Sequence, residues 1–426
     1  MSDRRILKHR DLNDWLSYIT TLHARVIDLG LTRLAAVTAR LMPLKSRVIT
    51  VAGTNGKGST VAFLEHIYRA SGYRVGAYFS PHLIRYNERV RILGEEIDDA
   101  TLCAAFAEVE RARADTPLTY FEFGTLAAFV AFAGAHLDVV ILEVGLGGRL
   151  DAVNVVDSDV GVVVSVGTDH KDWLGADRET IGREKAGIFR SGRPAILGAD
   201  MPESVRATVR DIGARAVEAG RDFRIQPLAS QWRYESARGV RDLPYPVLRG
   251  VYQLNNAACA IAATEALDLP VQADAVRKAL TGVRLSGRFQ TLPGRPLVVL
   301  DVAHNAEAAA VLAHTLATQP VAGRTWAVVG MLRDKPIEEV LVALMPRMDF
   351  WHVASVEDPR GADGATLAAV LAAHGAAHVT THADVATAFA VARSRAREED
   401  RIVVFGSFKT VGAILACMST HKDQDG

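Results

Sequence analysis

Gly53-Thr54-Asn55-Gly56-Lys57-Gly58-Ser59 carries the strongest chemical signal in the chain. It follows a β-branched run, Val48-Ile49-Thr50-Val51, and precedes a helical pattern through Val61, Leu64, Ile67 and Tyr68. Glycines let backbone N–H groups turn toward a triphosphate, and the helix that follows points its positive end at the same place. Lys57 would sit against the β- and γ-phosphates, and the hydroxyl of Ser59 or Thr60 could ligate magnesium. The loop departs from G-x-x-x-x-G-K-[ST]: Val51 stands where the first glycine would be, and Gly58 separates Lys57 from Ser59. An ordinary glycine turn would also join strand to helix; the preceding strand together with Lys57 favours a phosphate loop.

Other groups sit where apolar strands end, the place where open α/β sheets gather ligands. Glu143 closes Val139-Val140-Ile141-Leu142 and suits a hard cation such as Mg²⁺, or else an ion pair or helix cap. Gly145-Leu-Gly-Gly-Arg149 after it is a turn with little room for side chains. His170 lies just past the apolar run 160–166 and reads as a ligand or a structural histidine. By type alone Lys185 is a solvated helix lysine, and Ser80-Pro81-His82 a strand-ending turn. Asp301, His304 and Asn305 follow Leu297–Leu300; they could orient a nucleotide, or Asn305 could simply cap a helix.

The elements that must hold these groups alternate. Residues 11–42 carry helical spacing (Trp15, Ile19, Leu22, Val26, Leu29), broken at Asp28–Leu31, where a second helix opens. Strands are expected at 48–51, 74–79, 139–142 and 160–166, with helices at 100–114 and 122–136. Residues 220–250, with Trp232, Tyr234 and several prolines, suggest a small antiparallel addition, followed by helices at 255–268 and 272–281. A second α/β series has strands at 297–301, 326–329, 350–354 and 402–405, and an Ala/Val-rich stretch, 365–396, read as packed helices. Strands alternating with helices imply mostly parallel sheets covered on both faces. The fold class is α/β in two domains, 1–290 and 291–426.

Composition excludes several classes. Lys+Arg and Asp+Glu are both 49, so there is no cationic excess for nucleic-acid binding. Cys103, Cys259 and Cys417 are odd in number and far apart, which argues against a disulfide framework or zinc knuckle. The N-terminus, MSDRRILKHRDLNDWL, has no apolar core and so is no signal peptide. No uncharged apolar run reaches the ~18 residues of a membrane span. These features fit a cytoplasmic protein.

Eight motifs in order resemble folylpolyglutamate synthase, and more narrowly the bacterial bifunctional dihydrofolate synthase/folylpolyglutamate synthases of the Mur ligase superfamily. They are GTNGKGS (53–59), SPHLIRYNERVRI (80–92), LTYFEFGT (118–125), ILEVGLGGRLDAVN (141–154), TDHKDWLG (168–175), IGREKAGIFR (181–190), GRFQ (287–290) and LDVAHN (300–305). The resemblance spans about residues 12–412. It implies an N-terminal P-loop ATPase domain with a mostly parallel sheet and a C-terminal Rossmann-like ligase domain, with the active site between them.

The resemblance also implies ATP and two Mg²⁺ sites: Ser59, Ser80 and Glu143 for one, and Glu143 with His170 and Lys185 for the other, Lys185 being carbamylated to N6-carboxylysine. It carries ATP contacts onto Gly56, Lys57, Gly58, Ser59, Asn256, Arg288 and Asp301, and places His304 near the γ-phosphate. Lys57, His170, Lys185 and His304 are the catalytic candidates. Dihydropteroate contacts carry over to Asp28, Leu29, Gly30 and Leu31; to Thr119, Tyr120, Phe121 and Glu122; and to Leu150, Asp151 and Ala152. Val153 departs from the threonine that many members carry. The implied activity is ATP-dependent addition of L-glutamate to dihydropteroate and to reduced folates through an acyl phosphate, by a monomer without nucleic-acid or membrane partners. The sequence also admits a Mur-type amino-acid ligase acting on a UDP-linked peptidoglycan precursor, or a binding protein switched by ATP without ligation.

Overall fold

In the computed structural model, residues 11–175 and 177–422 are described; the first ten residues of the charged N-terminal segment lie outside them. The chain forms two compact units. Unit 1 comprises the described residues up to Pro81, Tyr86–Pro246 and Leu254–Val283; unit 2 takes His82–Arg85, Val247–Gln253 and the chain from Arg284. The division thus falls after Val283, and two short segments before it, His82–Arg85 and Val247–Gln253, group with unit 2.

Unit 1 is built on eight strands: β1 Arg47–Ala52, β2 Val75–Tyr78, β3 Val90–Ile92, β4 Glu95–Glu96, β5 Val139–Glu143, β6 Val160–Val163, β7 Pro194–Leu197 and β8 Arg215–Glu218. Their order is β4-β3-β2-β5-β1-β6-β7-β8, parallel except for β3 and β4. Every residue of β5 and β6 is buried, as are all of β1 but Arg47, so these strands read as continuous apolar runs. Register decides the chemistry. Val51 pairs with Glu143 and with Val162, which brings the strand ends that lead to the phosphate loop, Glu143 and the His170 segment to one level. Helix Tyr120–Gly134 buries Phe123, Leu126, Phe129 and Phe132, and Phe123 joins an aromatic cluster with Trp15 and Phe106. Strands β9 Phe223–Pro227, β10 Gln231–Ser236 and β11 Gly239–Pro244 form the antiparallel addition, which buries Trp232 and Tyr234.

The N-terminal periodicity was over-extended by sequence spacing. The first helix is Leu12–Ile19 and the second Thr32–Thr38; Val26 between them is 86% exposed. Thr20 and Thr21 turn their hydroxyls back onto the carbonyls of Ser17 and Tyr18, a local alternative to the helical ladder that ends it.

Unit 2 holds a six-stranded sheet: β12 Gln290–Leu292, β13 Leu297–Leu300, β14 Thr325–Val329, β15 Phe350–Ala354, β16 Val379–His382 and β17 Arg401–Phe405. Its order is β12-β13-β17-β14-β15-β16, parallel except for β12. β16 lies inside the stretch read as packed helices. It is an edge strand pairing with β15 alone, and its polar Thr-Thr-His lacks a buried-strand signature.

His352 of β15 is 2% exposed, and its Nδ1 lies 2.8 Å from His382 Nε2 in β16. Burial, then the His382 and Arg395 charges, push the His352 imidazole down to about 4. The folded state therefore binds this proton more weakly than the unfolded chain. Its contribution is fully present above about 6.5 and is lost as pH falls from there toward 4, roughly 3 kcal/mol across the window. Urea midpoints measured across pH are expected to drop below 6.5 in the parent and to flatten in His352→Leu.

Candidate active site

The phosphate loop closes on a built frame. Gly56 adopts φ +84° and caps helix Lys57–Ala70. A Cβ there would collide with the Asn256 carboxamide, which is 3% exposed and lies over the loop. Lys57 Nζ donates to the carbonyls of Gly53 at 2.9 Å and Thr54 at 3.1 Å. Ser59 is 1% exposed at the start of the helix.

Beside the loop, Ser80 N–H donates to Glu143 Oε2 at 2.9 Å, and Glu143 is 4% exposed. The Ser80 hydroxyl oxygen is buried without a hydrogen-bond partner. A buried oxygen of this kind next to a carboxylate is what a hard cation would complete. Among the described residues no three His, Cys, Asp or Glu converge as a metal cluster. The donors here are of another kind: serine hydroxyls and one carboxylate, which suit Mg²⁺.

The turn after Glu143 explains its glycines. A Cβ on Gly145 would meet the Phe121 ring at 2.5 Å, and one on Gly148 would meet the carbonyls of Glu184 and Lys185 at 2.8 Å. This close approach seats the turn on Lys185, which is 4% exposed in helix Arg178–Ala186. Lys185 is therefore buried rather than solvated. His170 stands at φ +53° just beyond β6.

Asp151 faces inward: Oδ2 accepts from Leu146 N–H at 2.7 Å and Oδ1 from Val153 N–H at 3.1 Å. Burial pushes its carboxyl up to about 7, against these amides and the nearby Lys57 charge. These bonds fix the shape of the turn. Val153, the departure from threonine, is fully buried and meets Asp151 through its backbone. Ala152 is buried next to it and Leu150 half-buried.

Thr119 and Glu122 form a reciprocal cap on helix Tyr120–Gly134, with Thr119 N–H donating to Glu122 Oε2 at 2.8 Å. Phe121 packs near Tyr78, and Tyr120 edges onto Tyr86. Asp28, Leu29, Gly30 and Leu31 form a half-buried loop. Sequence reasoning missed Arg33, whose guanidinium ion-pairs with Asp28 and, at 2.9 Å, with Glu122. It joins two of the stretches assigned to dihydropteroate, and only its basic character could have hinted at that.

Unit 2 presents its own constellation. Asp301 accepts from Phe289 N–H and Ala303 N–H, each at 2.8 Å, and burial raises its carboxyl against the Arg288 charge. The Val302 carbonyl can only accept, so its 2.8 Å contact places a proton on His304 Nδ1. Arg288 lies 5.1 Å over the Phe408 ring, with the His304 ring 6.2 Å from the same platform. Phe408 was not singled out in the sequence. Asn305 is a helix cap: its Oδ1 accepts from Ala308 N–H at 2.9 Å.

The Mur ligase middle-domain family matches residues 51–264, and the Mur ligase glutamate ligase domain matches 287–408. The dihydrofolate synthase/folylpolyglutamate synthase of Escherichia coli (strain K12) is 46% identical over 415 residues, covering 96% of each chain. The chain belongs to the dihydrofolate synthase/folylpolyglutamate synthase family. Solved structures of this family agree in fold. E. coli FolC in complex with DHPP and ADP superposes with a TM-score of 0.93 at 45% identity, over 97% of this chain and 99% of that one. A bifunctional folylpolyglutamate synthase/dihydrofolate synthase with Mn, AMPPNP and L-glutamate bound gives 0.90 at 45% identity, over 96% and 98%.

Proposed function

We infer that the chain is an ATP-dependent ligase that joins L-glutamate to dihydropteroate, forming dihydrofolate, and extends reduced folates with further glutamates. The observation that carries this is the phosphate loop with Lys57 set level with Glu143 and the buried Ser80 hydroxyl, in a chain 46% identical to an E. coli enzyme of that name. Residues 1–290 serve as the ATP-binding domain and 291–426 as the ligase domain. The chain acts as a cytoplasmic monomer; no helix among the described residues is long and apolar enough to cross a membrane.

A carboxylate resists attack by an amine because its carbon is electron-rich and oxide leaves poorly. Transfer of the γ-phosphoryl group to the pteroate carboxylate replaces oxide with phosphate as the leaving group. The glutamate amine then adds to the acyl carbon, and phosphate departs with one former carboxylate oxygen. Phosphoryl transfer is mainly a matter of positioning and charge. Gly56, Lys57, Gly58 and Ser59 present helix-start amides and an ammonium to the phosphates, and Asn256 backs the loop. Arg288, Asp301 and His304 are assigned to the nucleotide, Arg288 by charge. Two Mg²⁺ ions, when bound, would offset phosphate charge; Ser59, Ser80 and Glu143 would hold one, and Glu143, His170 and Lys185 as its carbamate the other. Arg33 orders the Asp28–Leu31 and Thr119–Glu122 walls against which the pterin docks.

The test is phosphate release with ATP, magnesium and glutamate, comparing dihydropteroate, tetrahydrofolate and a UDP-muramoyl peptide as acceptors. Glutamate-dependent release is expected with the first two. Release with the muramoyl acceptor alone would make the chain a cell-wall ligase, and ATP binding without release would make it a switch.

A further inference from the structure

Thr54 and Asn55, which lead into the phosphate-binding turn, are laced to the segment leaving β6. Thr54 N–H donates to the Ser165 carbonyl at 3.0 Å. The Thr54 hydroxyl donates to the Gly167 carbonyl at 3.0 Å and accepts from Gly167 N–H at 2.9 Å. The Ser165 hydroxyl closes a reciprocal pair, accepting from Asn55 N–H at 3.0 Å and donating to the Asn55 carbonyl at 2.8 Å. The segment is itself pinned: Val164 N–H donates to Ala52, the Val164 carbonyl accepts from Asn255 Nδ2 at 3.2 Å, and the Val166 carbonyl accepts from Arg178 Nε at 2.9 Å. A Cβ on Gly53 would stand 3.3 Å from Ser165 N, so the two strands of chain approach as closely as backbone allows.

We propose that Ser165 is a positioning residue for nucleotide binding, acting through the Asn55 peptide. One hydroxyl satisfies both the N–H and the carbonyl of Asn55. It keeps that carbonyl turned toward β6 and off the anion side of the loop, where an oxygen would repel phosphate. Thr54 extends the lacing to Gly167, three residues before His170, so the phosphate loop and the His170 segment share one frame. Without the Ser165 hydroxyl the peptide planes on either side of Asn55 each lose this anchor, and the left-handed Gly56 turn that follows loses a fixed entry.

The inference rests on residues 53–59 being the phosphate loop, and the experiment separates the two. ADP affinity with magnesium is measured on the full chain for the parent, Ser165→Ala, Ser165→Thr and Lys57→Ala, together with KM for each substrate and the thermal midpoint without nucleotide. Ser165→Ala is expected to weaken ADP and raise the ATP KM about tenfold, the scale of one or two lost hydrogen bonds. The KM values for dihydropteroate and glutamate stay unchanged, the nucleotide-free midpoint falls by at most the few degrees that two lost hydrogen bonds cost, and Ser165→Thr returns the affinity. Intact ADP affinity in Ser165→Ala, with Lys57→Ala weakened, overturns the Ser165 role alone; intact affinity in both overturns the phosphate-loop assignment. A fall in thermal midpoint with ADP affinity intact, or in kcat with every KM unchanged, overturns it by making Ser165 merely structural.

Discussion

Lys57→Ala is expected to lower glutamate-dependent phosphate release by ~10²-fold or more, the scale of losing one preorganised donor to a charge-developing transition state. The lysine heads helix Lys57–Ala70, and its ammonium rests on the carbonyls of Gly53 and Thr54. Those contacts fold the side chain over the loop that would cradle phosphates, where the cation would meet a bound nucleotide. The loop keeps its shape without it, because the Gly56 turn, Asn256 and the Ser165 lacing come from elsewhere in unit 1. Activity should therefore collapse while circular dichroism and thermal midpoint hold. Near-normal turnover in the variant would refute the assignment of Lys57.

Lys185→Ala is expected to lose about 100-fold in activity, with part of it restored by formate or acetate. Lys185 is 4% exposed in helix Arg178–Ala186, with the Gly148 turn resting on the backbone of Glu184 and Lys185. The amine can add to carbon dioxide, forming an N–C bond and releasing a proton, and the resulting carbamate offers oxygen donors. A short carboxylic acid fills the space the alanine leaves and supplies the same oxygens. Labelled bicarbonate should give a carbamate carbon resonance in the parent that Lys185→Ala lacks. No rescue together with no such resonance would remove the carbamate from the account.

The sheets were legible where burial acts on both faces. β5, β6, β13, β14, β15 and β17 are short apolar runs that few other environments would select. β16 escaped notice because an edge strand need not be apolar; β7, though buried at every residue, is only four residues between polar neighbours and passed unread, as did the more exposed β8. At the site, residue types at strand ends marked Glu143, His170 and Asp301. The supporting residues stayed invisible because their meaning depends on partners far along the chain: Arg33 meets Glu122 across 89 positions, and Ser165 meets Asn55 across 110. Lys185 illustrates the reverse error, since helix spacing gave no sign that it is buried.

Transfer of oxygen between substrates tests the acyl phosphate most directly. Dihydropteroate labelled with ¹⁸O in both carboxylate positions is turned over with ATP and glutamate, and the released phosphate is analysed by mass. The account predicts one labelled oxygen in each phosphate and the other retained in the new amide. Unlabelled phosphate accompanying labelled product would contradict it.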